Sequence, residues 1–219
     1  MINIEVESIW KKLCPGLELA CIEADVVVEY ENSELMALID IALNEIERKF
    51  TIEEISKIPA IAFSRKAYKA SGKDPARYRL SSEALLRRVV SGKGLYRINN
   101  VVDQLNLVSV STGFSIGGYD AGKIVGDVKF GVAVDEPYIG IGRGALNIDG
   151  LPVFRDEQGA FGTPTSDSER TCVTEKTSRF LMIIINFGDA PGLVEAQNKA
   201  VDLLVKYCRA ENVEKTIVR

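Results

Sequence analysis

Arg97-Ile-Asn-Asn-Val-Val-Asp-Gln-Leu-Asn-Leu-Val-Ser-Val-Ser-Thr-Gly113 carries a helix with both ends written into it. Asn99-Asn100 offers the side-chain oxygen an N-cap needs. Val101, Val102, Leu105, Val108 and Val110 line one stripe, and Gly113 supplies the left-handed residue that closes a helix. What flanks this helix sets the class of fold. Before it, apolar residues recur with a helical period; after it, they come in short β-branched runs broken by glycine. That change predicts one mixed α+β domain over residues 1–219.

Working back toward the N-terminus, Ser81-Ser82 opens a helix that closes at Gly92, and Ile58 to Ala70 forms another. In the first of these, Glu83 and Arg87 sit four apart and read as a surface pair. Asn32-Ser33 caps a longer helix to about Phe50, with Leu35, Leu38, Ile39, Leu43 and Ile46 on its buried side. Ala24 to Val28 reads as a strand, Glu7 to Leu13 as one or two helical turns, and Asn3 to Val6 as a short strand. Toward the C-terminus, strands are expected within Ile124 to Val134, Tyr138 to Ile141, Ala145 to Ile148 and Leu151 to Phe154. Gly117-Gly118 reads as a turn or bulge. Phe180 to Phe187 is a strand apolar enough to be covered on both faces. Leu193 to Cys208 is an amphipathic helix, and Val213 to Val218 a closing strand.

Composition bounds the chemistry. The chain has 219 residues, 46% hydrophobic and 26% charged, enough apolar surface to order itself. The longest apolar run, Phe180 to Ile185, is far short of the ~20 residues that span a bilayer, so no membrane partner is expected. Met1 is followed by Ile-Asn-Ile-Glu-Val-Glu, without the basic start and apolar core of an export signal, and a cytoplasmic location is expected. Cys14, Cys21, Cys172 and Cys208 form no CxxC pair and read as reduced apolar filler, so no metal site is expected. There is no histidine. That excludes Ser-His-Asp and Cys-His catalysis and leaves carboxylates, Lys, Tyr, Thr, backbone amides or a substrate-oriented water. Gly140, Gly142 and Gly144 follow no strand-to-helix pattern, so a dinucleotide site is rejected and no cofactor is expected.

Charge is segregated. Residues 1–64 carry five basic and thirteen acidic side chains, whereas residues 65–97 carry ten basic and two acidic. Arg65, Arg77, Arg79, Arg87, Arg88 and Arg97 belong to this basic block, with Tyr68, Tyr78 and Tyr96 interleaved. Cations beside aromatics suit RNA backbone and unstacked bases; the same residues also suit solvated helix faces.

Three stretches together resemble stand-alone B3/B4-domain proteins, relatives of the editing module in the phenylalanyl-tRNA synthetase beta subunit. The first runs from Ser64 to Tyr68, through Gly72-Lys73-Asp74-Pro75-Ala76-Arg77-Tyr78-Arg79, to Ser81 to Arg88. The second is Arg97 to Val108 with Gly117-Gly118-Tyr119-Asp120 and Lys123 to Gly126. The third is Thr171 to Thr177 followed by Phe180 to Phe187. The resemblance covers roughly residues 60–190. It implies an α+β fold with a mixed, largely antiparallel β-sheet packed against helices. It also implies a cleft in which mischarged tRNA is deacylated, with tRNA as the partner and a free amino acid or aminoacyl group as the small ligand.

Three positions depart from the synthetase pattern. Its histidine falls on Gly117, a threonine on Leu105, and the glutamate that recognises the tyrosine hydroxyl on Ile183. A pocket that loses its hydroxyl-binding group loses its preference for tyrosine. The candidate catalytic groups are Asp103, Asn106 and Asn100. The candidate pocket is Leu105, Gly117, Gly118, Tyr119 and Ile183, and the candidate RNA-binding residues are Arg65, Arg77, Tyr78, Arg79, Arg87, Arg88 and Arg97. Asp167 to Thr171 forms a further polar loop. The expected function is a trans-editing aminoacyl-tRNA deacylase; the alternatives are a non-catalytic RNA-binding module and a small-molecule binder that reuses the pocket.

Overall fold

The computed structural model describes residues 1–219. The N-terminal part runs β1 (Ile4–Val6), α1 (Ser8–Leu13), β2 (Glu18–Asp25), α2 (Ser33–Lys49), α3 (Ile52–Ile55), α4 (Pro59–Ala70), α5 (Ser81–Val90) and α6 (Asn100–Thr112). The remainder runs β3 (Ser115–Asp120), β4 (Val128–Val132), β5 (Ile139–Gly140), β6 (Gly144–Ala145), β7 (Pro152–Asp156), β8 (Gly159–Gly162), β9 (Arg179–Asn186), α7 (Leu193–Cys208) and β10 (Glu211–Val218). The fold is α+β.

The strands form a central sheet of order β10-β2-β9-β3, a second sheet of order β1-β4-β7-β8 and the small β5-β6 hairpin. Every pairing is antiparallel except β1 with β4. Alternation along β2 and β9 divides the core in two. Ala20, Ile22, Ala24, Phe180, Met182 and Ile184 face a helical layer that includes α2, α6 and α7. Leu19, Cys21, Leu181, Ile183 and Ile185 face the second sheet, with Trp10 and Tyr68 beside it. Each fully buried Leu, Ile, Met or Phe among them contributes about 1.5–3 kcal/mol, which is why both strands are apolar at nearly every position.

The helix ends follow the sequence signals. Asn32 Oδ1 accepts from the Leu35 N–H, and Asn99 Oδ1 from the Val102 N–H. Gly113 ends α6 at φ 82°. Four expectations are corrected. Gly117 and Gly118 lie inside β3, paired with Ile183 and Met182, rather than in a turn. The N-terminal strand of the central sheet is Glu18–Asp25, displaced from Ala24 to Val28. The extra helix α3 starts with a capping box between Thr51 and Glu54. Glu83 is not a surface residue: it is fully buried, accepting from Arg65 at 2.8 Å and from Arg87 at 3.1 Å. A buried carboxylate requires such pairing, and Arg65 reaches it from the neighbouring helix α4. No helix is long and apolar enough to cross a membrane.

Candidate functional site

A cleft of about 740 Å³ opens between α5, α6, the β3 edge and the loop after β8. Its apolar wall includes Ile98, Val102, Leu105, Ile116 and Val173. Its charged groups are Arg87, Arg88, Lys93 and Arg143, with Asp167 as the lone carboxylate. Asn106, one turn along α6 from Val102, also faces this space.

Asp167 is anchored from several directions. Its Oδ1 accepts from the Tyr119 hydroxyl at 3.0 Å. Its carbonyl accepts from the Ile141 N–H at 3.0 Å, tying it to the β5-β6 hairpin. Burial raises its carboxyl to about 7, against the lowering effects of the Tyr119 hydroxyl and the Gly118 N–H. Burial also raises the Tyr119 phenol, and the adjacent Asp167 adds to the shift, so the phenol stays protonated and donates. The loop behind Asp167 is pinned by Arg170, which pairs with Asp156 at 2.8 Å. Burial opposes ionisation of Asp156, but Arg170 and the N–H groups of Val125 and Gln158 hold it below the usual carboxylate range.

Two glycines admit the Tyr119 ring. A Cβ on Gly117 would lie 2.0 Å from the Tyr119 hydroxyl, and one on Gly162 would lie 2.2 Å from it. The phenol therefore passes between two strands where no other residue fits. Its ring packs edge-on against Phe161 at 4.9 Å. The slot read from the resemblance as the family's histidine position is filled by this phenol. Gly118 has a different role: its missing Cβ makes room for Leu105, whose Cδ1 would lie 2.5 Å away.

The residues singled out in the sequence separate accordingly. Leu105, Gly118, Asn106, Arg87 and Arg88 line the cleft. Gly117, Tyr119 and Ile183 do not; Tyr119 and Ile183 are fully buried against the second sheet. Ile183 cannot read a ligand, because strand alternation turns it away from the cleft. Asn100 is spent on structure, accepting from the Glu29 N–H and donating to the Val27 and Tyr207 carbonyls. Asp103 accepts from the Ile98 N–H at 2.9 Å; burial pushes its carboxyl up, against that N–H and Arg97. It steadies the cleft wall at Ile98 rather than facing the opening. In the basic block, Arg65 is tied to Glu83 and Arg97 to Asp40. Arg77 and Arg79 are exposed, with Arg77 lying against the Tyr78 ring. Asp167 was visible in the sequence only as one residue of a polar loop. Its distinguishing signal is the lone carboxylate within Thr163-Pro-Thr-Ser-Asp-Ser168, but the Tyr119 contact comes from 48 residues away.

The family model described as B3/4 domain matches residues 64–209. No curated protein matches the chain. Among solved structures, an N-terminal fragment of the phenylalanyl-tRNA synthetase beta-subunit from Pyrococcus horikoshii is similar at 15% identity and a TM-score of 0.49. The alignment covers 99% of this chain and 50% of that one, so this chain spans half that fragment's length.

Proposed function

The chain belongs to the B3/4 domain family, and from that premise we propose that it is a trans-acting aminoacyl-tRNA deacylase. We take residues 1–219 as the working unit, since β2 and β10, from opposite ends of the chain, pair in one sheet. The observation that carries the reading is Asp167, a lone near-neutral carboxyl in a cleft whose other charges are cations. Ester hydrolysis needs a water relieved of a proton and donors for the oxygen that gains charge. Asp167, once ionised, takes the proton from a water attacking the aminoacyl carbonyl. The Asn106 amide supplies a donor toward that carbonyl. The ester carbon–oxygen bond breaks, the ribose oxygen regains a proton, and a free amino acid leaves. The apolar wall around Leu105 receives the side chain of the amino acid, and the cations receive the tRNA.

The test is deacylation of a panel of correctly and wrongly charged tRNAs by the whole chain and by Asp167→Asn. Selective acceleration of one mischarged species, lowered about 100-fold or more in the variant, is expected. Salt-sensitive tRNA binding with no acceleration of any species would replace the enzyme reading with that of a binding module.

A further inference from the structure

The cations around the cleft are more than a general attraction for RNA. Arg87 and Arg88 come from the last turn of α5, Lys93 from the segment after it, and Arg143 from the turn of the β5-β6 hairpin. Arg87 is held by Glu83. Arg88, Lys93 and Arg143 appear in none of the chain's ion pairs. Arg88 also carries a buried Nε with no hydrogen-bond partner. A buried donor left unpaired is costly; this Nε is closed to solvent, and it is the exposed Lys93 and Arg143 beside it, also without partners, that mark where an acceptor from outside the chain belongs.

Two further features give that acceptor its chemistry. The Arg88 guanidinium lies 3.9 Å from the centroid of the Tyr96 ring, and its Nη1 reaches the Tyr96 hydroxyl at 3.2 Å. Tyr96 is 58% exposed, so the pair presents a flat, cationic shelf suited to a planar base. Arg143 stands on a turn flanked by Gly142 and Gly144, both at positive φ, where a Cβ would meet nothing within 4 Å. That turn stands in open space at the cleft, and its base is fixed by the Ile141 N–H to the Asp167 carbonyl. Planar guanidinium groups suit phosphate oxygens, which they can meet with paired donors.

We propose that Arg88, Lys93 and Arg143 form a phosphate clamp which, with the Tyr96 shelf, binds a nucleoside monophosphate unit beside Asp167. This deepens the reading of the cleft as a deacylation site and rests on it for what the nucleotide carries. The clamp itself requires no turnover. The same chemistry can come from the end of an RNA chain or from a free nucleotide.

Calorimetric titration of the whole chain tests it, with adenosine monophosphate, adenosine, inorganic phosphate and a short RNA hairpin with a single-stranded 3′ end as probes. Adenosine monophosphate is expected to bind at least about tenfold more tightly than adenosine. Arg143→Gln, at an exposed turn outside both cores, should weaken the monophosphate roughly tenfold or more and leave adenosine unchanged. Arg88→Lys keeps the charge but loses the plane stacked on Tyr96, and should weaken it as well. Tighter binding of the RNA hairpin supports an RNA end as the source, and equal affinity supports a free nucleotide. Equal binding of adenosine and its monophosphate, no binding of either, or an unaffected Arg143→Gln overturns the clamp. Monophosphate binding without deacylation of any tRNA would leave the clamp standing and remove the enzyme reading; deacylation with an unchanged KM in Arg143→Gln would do the reverse.

Discussion

Of the two faces of the central sheet, the one toward β1-β4-β7-β8 is dry and aromatic. Trp10 stacks on Phe130 at 5.7 Å, and Phe154, Phe161 and Phe187 fill in around them. The face toward the helices is mostly aliphatic, with Phe114, Phe180 and Tyr207 its buried aromatics, and opens at the β3 edge into a cleft with polar and cationic lining. One side chain joins the two regions: Tyr119 keeps its ring on the dry side and gives its hydroxyl to Asp167. A packed aromatic layer is a poor place for catalysis but a good brace. It fixes a donor in one position, and the carboxylate at the cleft takes its orientation from it.

The comparison can be broken at the slot for Tyr119. Gly117→Ala places a methyl group where the phenol passes, and no flexible neighbour can yield. A loss of about 3 kcal/mol by urea denaturation is expected; unchanged stability would mean that the ring does not depend on the slot. The next effect is electrostatic. The Asp167 carboxyl is raised from an ordinary value near 4 to about 7, so the folded state holds its proton more tightly than the unfolded state does. Its contribution is full below about pH 4 and is lost as pH rises to about 7. Asp167→Asn should therefore gain up to about 4 kcal/mol over the parent between pH 4 and 7 and gain no more above that, as read from denaturation at pH 4, 6 and 8. A pH-independent difference would contradict burial as the cause.

Tyr119→Phe keeps the ring and removes the donor. Stability should fall by about 1 kcal/mol. Because the hydroxyl lowers the Asp167 carboxyl, its loss should move the rising limb of the deacylation pH profile upward. An unmoved midpoint would separate the brace from the chemistry. The smallest effect is expected at Arg77, which lies outside the cleft. Arg77→Gln should change stability by less than about 0.5 kcal/mol and tRNA affinity far less than Arg88→Gln, measured side by side at one salt concentration.

Much of the fold is legible in the sequence because local signals agree with tertiary burial. The caps at Asn32 and Asn99, the stop at Gly113 and the stripe of α7 all lie where spacing puts them. β3 escapes the same reading: Ser-Ile-Gly-Gly-Tyr-Asp spends two of six positions on glycine for room rather than for a turn. The site is less legible for a related reason. In β9 both faces are apolar, so composition cannot show which residues face the ligand, and Ile183 falls on the far side through parity alone. Asn100 and Asp103 sit on the same helix as Asn106, yet long-range partners at Glu29 and Tyr207 claim Asn100, and the nearby Ile98 N–H claims Asp103. Asp167 owes its character to burial and to Tyr119, neither of which is encoded near it.

The strand order also bears on synthesis. The pair at the heart of the central sheet joins residues 18–25 to residues 179–186, and β10 covers the remaining edge of β2. An emerging chain therefore carries an apolar strand without neighbours until nearly the whole protein has been translated. Such non-local pairing folds slowly and leaves sticky intermediates. C-terminal truncations that remove β9 should consequently yield inclusion bodies rather than a smaller folded core.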